Sequence, residues 1–273
     1  RVEASHALLV GVMAGLAAGI KLTNLLLLPA IALALEVAAN QFQFRQSAAR
    51  LASYTVGVVV GFVAMHGYWS YELWGETGNP LFPLLNGFFG SPDFPQEGLQ
   101  DRRNLGGPWW TILTLPIEIL SHRSAVYAEN VVADPRPLAL CIALLILALQ
   151  GWGNRNSRIE TSAGDDSKIA FRIVLVFAAT FYVIWAEASR IGRYALVLWL
   201  LVGPLLVGVL VRVRLRIVAL TVLMASFLVQ LLFLYTNGNP RWTAVAWEDQ
   251  WLDVEIPKEL KDELKPHLDN CIS

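Results

Sequence analysis

The sequence has few charged residues and few cysteines, and each shortage excludes some classes of protein. Only 16% of its 273 residues are charged, 55% are hydrophobic, and the formal net charge is −1. A soluble globular domain carries more charge than this, and a nearly neutral chain offers no basic field that would attract nucleic acid. The two cysteines, Cys141 and Cys271, lie in unrelated contexts and indicate neither a disulfide framework nor a metal knuckle.

Several catalytic signatures are also missing from the sequence. It contains no GxxxxGK[ST] loop, no HExxH pair, no paired CxxC and no GxSxG elbow with partners. These motifs place phosphate-binding, zinc-binding or nucleophilic groups at fixed spacings. Their absence leaves nucleotide hydrolysis, zinc proteolysis and serine hydrolysis without support, and we predict no metal site from the residues themselves.

What the chain has instead is a series of seven apolar runs. They cover residues 7–20, 22–35, 51–70, 137–152, 169–186, 194–211 and 215–235. Several reach the roughly 20 residues that cross a hydrocarbon core as a helix, and shorter runs can cross where flanking residues snorkel or the bilayer thins. We therefore predict an all-α, polytopic membrane protein with about seven transmembrane helices in one domain, residues 1–235.

Lysine and arginine are distributed unevenly among the loops, which predicts an orientation. The short loops at residues 40–50, 154–172 and 212–216 are rich in arginine and lysine, as cytoplasmic loops generally are. Alternating spans then place four segments on the outer face: the turn at 20–22, the long segment 71–136, the turn at 187–193 and the tail 236–273.

The long outer segment has the composition of an ordered loop. It is rich in proline, glycine and aromatic residues, which fix turns and favour a shaped surface over a flexible linker. Residues 109–120 are apolar but too short to cross, so we predict an interfacial or re-entrant helix there. The tail ends in an amphipathic stretch, residues 258–268, that predicts the start of a soluble outer segment.

Glycines recur every four residues in the first and third runs. Gly11, Gly15 and Gly19 share one helix face, and Gly57 and Gly61 repeat the spacing. Small residues at this spacing let helices approach closely in lipid. They predict helix packing and imply no catalysis.

Two groups of cations lie where the topology predicts the outer face. Lys21 follows the first run, with Thr23 and Asn24 after it as a predicted helix N-cap that would favour an anion. The alternative interpretation of Lys21 is a lysine that snorkels at a helix end. Arg190 and Arg193 lie in a second short turn, flanked by Glu187 and Tyr194, and two guanidiniums at a membrane mouth suit phosphate recognition.

Other polar residues are weaker candidates. Asp101, next to Arg102 and Arg103, could act as a base, although a carboxylate beside arginine is more often paired structurally. The same applies to Asp134, which precedes Arg136. His66 is near the outer end of the third run, where a histidine more often makes an interfacial hydrogen bond than carries a proton.

Four stretches together resemble the bacterial GT-C membrane glycosyltransferases, relatives of protein mannosyltransferases and aminoarabinose transferases. They are GVMAGLAAGIKLT at 11–23, GNPLFPLLN at 78–86, SPDFP at 91–95, and Arg193-Tyr194. Each is loose, and the loop string at 78–86, which includes Asn79, is the most specific.

The resemblance implies a transferase of the bacterial inner membrane. Such enzymes transfer a sugar from a polyprenyl-phosphate donor to a lipid, glycan or protein acceptor on the outer face. Lys21, Arg190 and Arg193 would bind the donor phosphate, and Glu187, Tyr194, Asn79, Arg102, Arg103 and His66 would support the site. Some members use a divalent metal, and the sequence does not decide whether this chain would.

One departure from the family pattern concerns the catalytic carboxylate. Family members carry it on the first outer loop, and no such loop precedes residue 7, so Asp101 is the only substitute. The chain begins at Arg1, and we expect it to be part of a longer membrane protein. Two other functions remain open: a transporter or flippase of an anionic lipid-linked substrate, and a non-catalytic membrane scaffold.

Overall fold

The computed structural model describes residues 3–39, 43–92, 94–95, 105, 108–120, 134–153 and 165–236 of the chain. Within these ranges the chain is helical and contains no β-strand. The helices are α1 (Ala4–Ile20), α2 (Leu28–Ala39), α3 (Phe44–Thr77), α4 (Asn86–Phe89), α5 (Thr111–Leu120), α6 (Arg136–Gly153), α7 (Asp165–Ala188), α8 (Leu196–Leu210) and α9 (Arg216–Thr236). Two 3-10 helices, Leu22–Leu27 and Gly192–Ala195, lead into α2 and α8.

The predicted all-α membrane fold is confirmed, and each of the seven apolar runs forms a helix. Five helical segments of the described chain are long and apolar enough to cross a bilayer: Leu22–Ala39, α3, Ser167–Ala188, Gly192–Leu210 and α9. The other two, α1 and the apolar part of α6, are shorter than 18 residues. The prediction of about seven spans thus rests on these two crossing with local thinning of the bilayer.

The third helix is much longer than its apolar run. It has 34 residues, a length of about 51 Å at 1.5 Å per residue, whereas the hydrocarbon core is about 30 Å thick. Polar and aromatic residues at both ends continue the helix without adding to the apolar run, so hydropathy marks only its centre. The helix ends at Gly78, which adopts the left-handed conformation (φ 71°) and donates its N–H to the carbonyl of Trp74.

Helices α1 and α3 pack closely and run parallel, and the glycine spacing explains the contact. A Cβ atom on Gly11 would meet the carbonyl of Tyr54, one on Gly15 would meet that of Val58, and one on Gly19 would lie 2.7 Å from Cβ of Met65. The contacts advance together along both chains, so the two helices point the same way. The predicted packing role of the glycines is confirmed.

Helix α2 returns antiparallel to α3 and is fastened to it by polar contacts. The hydroxyl of Tyr54 donates to the carbonyl of Leu28 over 3.0 Å. Farther along α2, Glu36 forms an ion pair with Arg50 over 2.7 Å, with side-chain exposures of 15% and 6%. Ser47 completes the cluster, accepting a hydrogen bond from Arg50. A buried pair of this kind fixes the register of two helices in lipid, because neither charge can be left alone.

The second half of the chain packs against α2 through α7. Its core is built on Phe181 and Trp185 of α7, with Leu198 and Leu205 of α8 and Leu115 of α5. A second cluster joins α6 to the end of α8. Both clusters lie in the first of the two units into which the chain divides, Arg1–Phe233 and Leu234–Ser273.

Segments that were predicted to share a membrane face meet at a common end of the helices. Lys21 lies against Tyr194, and Arg190 bonds to Thr111 of α5. Elsewhere, the N–H of Arg214 donates to Gln150, which joins the predicted cytoplasmic loop 212–216 to the end of α6, where another predicted cytoplasmic loop begins. The pairing of the loops fits the predicted alternation, and the assignment of either end to a compartment stays a prediction.

Gly15→Ala is expected to destabilise the protein, because the new methyl group would overlap the backbone of α3 at Val58 and Phe62. We expect a loss of about 1–3 kcal/mol, typical of overpacking, measured as a lower melting temperature in detergent. Gly75→Ala is the control, since a Cβ there has nothing within 4 Å. Equal melting temperatures for the two variants would contradict the packing.

Candidate functional site

Two predicted site residues, Lys21 and Arg193, lie against the aromatic ring of a third, Tyr194. Nζ of Lys21 lies 5.4 Å from the ring centroid of Tyr194, and Cζ of Arg193 lies 5.3 Å from the same centroid. Both distances are within the range of cation–π attraction. Lys21 and Arg193 are exposed and Tyr194 is half-buried, so two positive charges face solvent or headgroups from a common aromatic support.

Lys21 owes its position to a break between two helices. Helix α1 ends at Ile20, and Lys21 is extended, with φ −145° and ψ 112°, before the chain tightens into a 3-10 helix. The side chain of Asn24 donates to the carbonyl of Ala17 over 2.8 Å. The predicted N-cap is therefore wrong: Asn24 adds a second hydrogen bond to the carbonyl of Ala17, which also accepts the N–H of Lys21, and no side chain caps the following segment.

Two tryptophans hold the turn that carries Arg193 and Tyr194. The indole N–H of Trp185 donates to the carbonyl of Ile191 over 2.8 Å, and that of Trp199 donates to Gly192 over 2.9 Å. Their rings meet edge to face at 5.8 Å. Because both carbonyls are bound from within, the turn is fixed at the point where α8 begins, and Arg193 projects from a rigid base.

Arg190 belongs to the interior of this turn. It is 6% exposed and adopts a left-handed conformation, φ 52°, which is unfavourable for a residue other than glycine. Its Nε donates to the carbonyl of Ala186 over 2.8 Å, and its terminal nitrogen donates to Oγ1 of Thr111 over 2.9 Å. The side chain ties the end of α7 to the start of α5, so its geometry suits a positioning role more than direct ligand contact.

The described start of the loop after α3, residues 78–92, is ordered, as the composition of the predicted segment 71–136 indicated, and two buried asparagines organise it. Asn79 accepts from the N–H of Leu81 over 2.9 Å and donates to the carbonyl of Leu84 over 2.8 Å. Asn86 accepts from the N–H of Ser91 over 2.9 Å and donates to the carbonyls of Ser91, Phe94 and Pro95 over 2.9–3.2 Å. The side chain of Asn79 thus shapes the loop through its hydrogen bonds to backbone groups.

The contacts of the remaining candidate residues give less indication of a functional role. Glu187 is exposed and forms no ion pair with a residue in the described ranges. His66 packs against the ring of Phe62 at 5.1 Å, and its Nε2 is shielded without a partner in the described part of the chain. Asp134 pairs with Arg136 over 2.7 Å, which supports the structural interpretation of that carboxylate.

Asp101, Arg102 and Arg103 lie outside the residues that the structure describes. The predicted catalytic carboxylate therefore stays a prediction, as do the predicted roles of its two arginine neighbours. Where the chain is described, no three His, Cys, Asp or Glu side chains come close enough to hold a metal ion.

An apolar cavity adjoins the turn. It has a volume of about 280 Å³ and is bounded by α5, α6, α7 and α8. Its lining is almost wholly hydrocarbon and includes Ile112, Pro116, Cys141, Ala179, Tyr182 and Val202. The hydroxyl of Tyr182 donates to the carbonyl of Ile112 over 2.6 Å, one residue from the threonine that binds Arg190. The cavity thus lies beneath the polar end of the helices.

Comparison of this chain with models of known protein families, with curated proteins and with solved structures finds no match. The residues of the site therefore carry the functional argument by their own chemistry.

Sequence reasoning missed Thr111, Tyr182 and Asn86. Thr111 and Arg190 are 79 residues apart, a separation that helical periodicity cannot bridge. The only signal for Asn86 was an amide among apolar neighbours in the loop string, since such an amide needs partners wherever it is buried. Nothing in the sequence distinguishes Tyr182 from the other residues of its apolar run.

Asn86→Ala is expected to open the loop after α3, because it leaves three carbonyls and one N–H without their partner. A loss of about 1–3 kcal/mol is typical for such buried groups. Limited proteolysis should cut the variant faster within residues 78–95. Phe88→Ala is the control, since Phe88 is on the same short helix and largely exposed; equal cleavage of both variants would show that Asn86 does not hold the loop.

Proposed function

We propose that this protein is a membrane glycosyltransferase that takes a sugar from a polyprenyl-phosphate donor. The acceptor would be a lipid, glycan or protein on the outer face of the bacterial inner membrane. The observation that carries the proposal is the pairing of Lys21 and Arg193 on Tyr194, since it joins cations from two distant turns at one end of the helices.

A phosphate is the ligand best suited to this pair. Lysine offers a compact ammonium and arginine a planar fork, both of which bind phosphate oxygens by charge-assisted hydrogen bonds. Both cations lie within 5.4 Å of the ring centroid of Tyr194, so a phosphate bound at this end of the helices would attract both of them. In transfer, the same cations would stabilise the negative charge that develops on the leaving polyprenyl phosphate.

The apolar cavity supports a lipid-linked donor over a soluble one. Its hydrocarbon lining suits an isoprenoid segment, and it lies beside the buried link between Arg190 and Thr111. In this proposal Arg190 positions α5 and the turn relative to each other. The donor phosphate would lie at the polar end of the helices, and the first part of its isoprenoid chain would lie in the apolar cavity.

The ordered loop after α3 would form the acceptor side of the site. A carboxylate would remove the proton of the acceptor hydroxyl, and attack from the opposite side would invert the anomeric carbon. Asp101 is our candidate for this base. A divalent metal at the phosphate is compatible with the proposal and is not required by it.

A transporter or flippase is the second candidate, favoured by the broken helix at Lys21. Transporters often place an ion or headgroup at such a discontinuity, and Lys21 is extended between α1 and the 3-10 helix. In that case the donor would move across the membrane with its glycosidic bond intact.

Lys21→Gln and Arg193→Gln should each weaken binding of a polyprenyl-phosphate hexose roughly tenfold or more, which corresponds to the loss of one charge-assisted hydrogen bond. Binding is measured on the full chain in lipid nanodiscs with a labelled donor. The matched control is Arg45→Gln, an exposed arginine at the start of α3 that removes the same charge. Unchanged affinity in both test variants would rule out this phosphate site.

The same preparation separates the two candidate functions. A glycosyltransferase releases polyprenyl phosphate when membrane lipid extract is supplied as acceptor, and Asp101→Asn should abolish that release without loss of donor binding. A flippase moves the intact donor between vesicle leaflets and releases none. A chain that neither releases nor moves the donor, and whose variants behave as the unmodified protein, would be a scaffold.

Ala179→Phe is expected to weaken donor binding by filling the apolar cavity. Ala179 lines the cavity yet is exposed at its edge, so the larger side chain can enter without displacing the core. We expect a higher KM for the lipid-linked donor with an unchanged melting temperature. Ala170→Phe on the same helix is the control, because Ala170 is exposed and outside the lining; equal KM values would place the donor elsewhere.

A further inference from the structure

Helix α5 is apolar on two sides although it is too short to cross a bilayer. It has 10 residues, a length of about 15 Å against a hydrocarbon core of about 30 Å. On one side Leu115 and Ile119 are buried in the core formed with α7 and α8. The other side is equally apolar, with exposed fractions between 53% and 72% at Trp109, Trp110, Leu113 and Ile117. An exposed apolar side of this kind marks an interaction surface.

Both ends of α5 are fastened by hydrogen bonds. At its start, Oγ1 of Thr111 accepts a hydrogen bond from Arg190, which follows the end of α7. At its far end, the carbonyl of Ile119 accepts the N–H of Asp134 over 3.3 Å, two residues before α6 begins at Arg136. The direction of α5 in the membrane therefore depends on where α7 ends and where α6 starts.

The start of α6 and the end of α7 are at the same end of the helices. Gln150, near the end of α6, bonds to Arg214 just after the end of α8, and both helices contribute to one packed cluster. Helices α6 and α8 thus run in the same direction, and α8 begins at the turn where α7 ends. A helix held at both of its ends by this one side of the bundle suits a position along the membrane surface.

The charged groups at the far end of α5 favour a shallow position as well. Asp134 and Arg136 form an ion pair over 2.7 Å, and the arginine side chain is 42% exposed. Within the last turn of α5, Glu118 is half-buried and accepts a hydrogen bond from Thr114 over 3.2 Å. A re-entrant helix would carry these charges toward the middle of the bilayer, where they are costly.

The exposed side of α5 has the chemistry of the boundary between headgroups and acyl chains. Trp109 and Trp110 are at its start, and the indole, with one polar N–H on a large apolar ring, is enriched at that depth. Leu113 and Ile117 continue the same side with purely aliphatic groups. Their partner is therefore lipid, because water would leave four large apolar side chains uncovered.

The apolar cavity is open beside this helix. Leu113 of α5, Cys141 of α6 and Ala179 of α7 all line the cavity and are all exposed. If α5 lies at the boundary, the opening between these three helices faces acyl chains. A ligand of the cavity would then enter sideways from the membrane.

We propose that α5 is an interfacial helix, which lies along the headgroup–acyl boundary of one leaflet and rests its exposed side on phospholipid. The cavity opens to that same leaflet beside α5. Of the two positions that its length allows, interfacial and re-entrant, the contacts at both ends of α5 favour the first. The inference is independent of the proposed glycosyltransferase, because it concerns the position of α5 and not the reaction.

The test measures the depth of spin labels on the full chain in phospholipid nanodiscs. Single labels are attached in the variants Trp110→Cys and Ile117→Cys, with the natural cysteines replaced by alanine, and depth is read from collisions with oxygen and with a water-soluble nickel chelate. The two positions are seven residues apart on one side of α5, so a re-entrant helix would separate their depths by about 10 Å. We expect less than half of that separation.

Two positions on α3 calibrate the measurement. Val60→Cys, 53% exposed at the centre of an apolar run, should be the deepest label, and Glu76→Cys, exposed near the end of the helix, should be reached by the chelate. A label at Ile117 as deep as that at Val60 would make α5 re-entrant. Labels at both α5 positions as open to the chelate as that at Glu76 would place α5 in water.

A label in Ala179→Cys tests the opening of the cavity in the same nanodiscs. We expect it to collide with oxygen and to be protected from the nickel chelate, because the opening faces acyl chains. Free access of the chelate to this label would show that the cavity opens to water, and would overturn that part of the proposal.

Tryptophan fluorescence gives a second test that keeps the natural cysteines. The difference between the unmodified protein and the variant Trp109→Phe/Trp110→Phe isolates the emission of the two indoles at the start of α5. We expect this emission to be quenched by phospholipids brominated near the top of the acyl chain and not by iodide in the water. Quenching by iodide alone would contradict contact with lipid.

Discussion

The close contact between α1 and α3 is the constraint on which the site depends. In lipid no hydrophobic force drives helices together, so they associate where backbones can approach. The glycine faces allow that approach, and the carbonyls of Tyr54 and Val58 lie where a Cβ atom on α1 would be. Because the two helices run parallel, α2 must return between their ends. The break at Lys21 and the start of the ordered loop then fall at the same end of the bundle.

A second constraint is that polar groups inside the membrane need internal partners. It explains why several polar residues of the helices bind one another or the backbone, such as Glu36 with Arg50 and Ser47, or Arg190 with Ala186 and Thr111. The indoles of the turn before α8 serve the same purpose. Each set fixes one pair of elements, and the candidate site is assembled from elements fixed in this way.

The sequence was sufficient to predict much of this fold and less of the site. Apolar runs predicted each long helix of the described chain, because hydrophobicity alone places a helix in lipid, and composition predicted the order of residues 78–92. Hydropathy missed the true length of α3, whose ends are polar and aromatic. It also could not foresee that Asn24 binds backward to Ala17, or that Arg190 reaches Thr111 across 79 residues. Such contacts depend on tertiary packing, which neither periodicity nor local spacing encodes.

The two clusters of positive charge differ in what their mere presence implies. Arginines in the turn before α9 follow the usual excess of positive charge in cytoplasmic loops, so they need no ligand to explain them. Lys21 and Arg193 run against that excess if the predicted orientation holds. A bound anion would offset that placement, so the outer cluster favours a ligand, whereas the inner cluster is explained by topology alone.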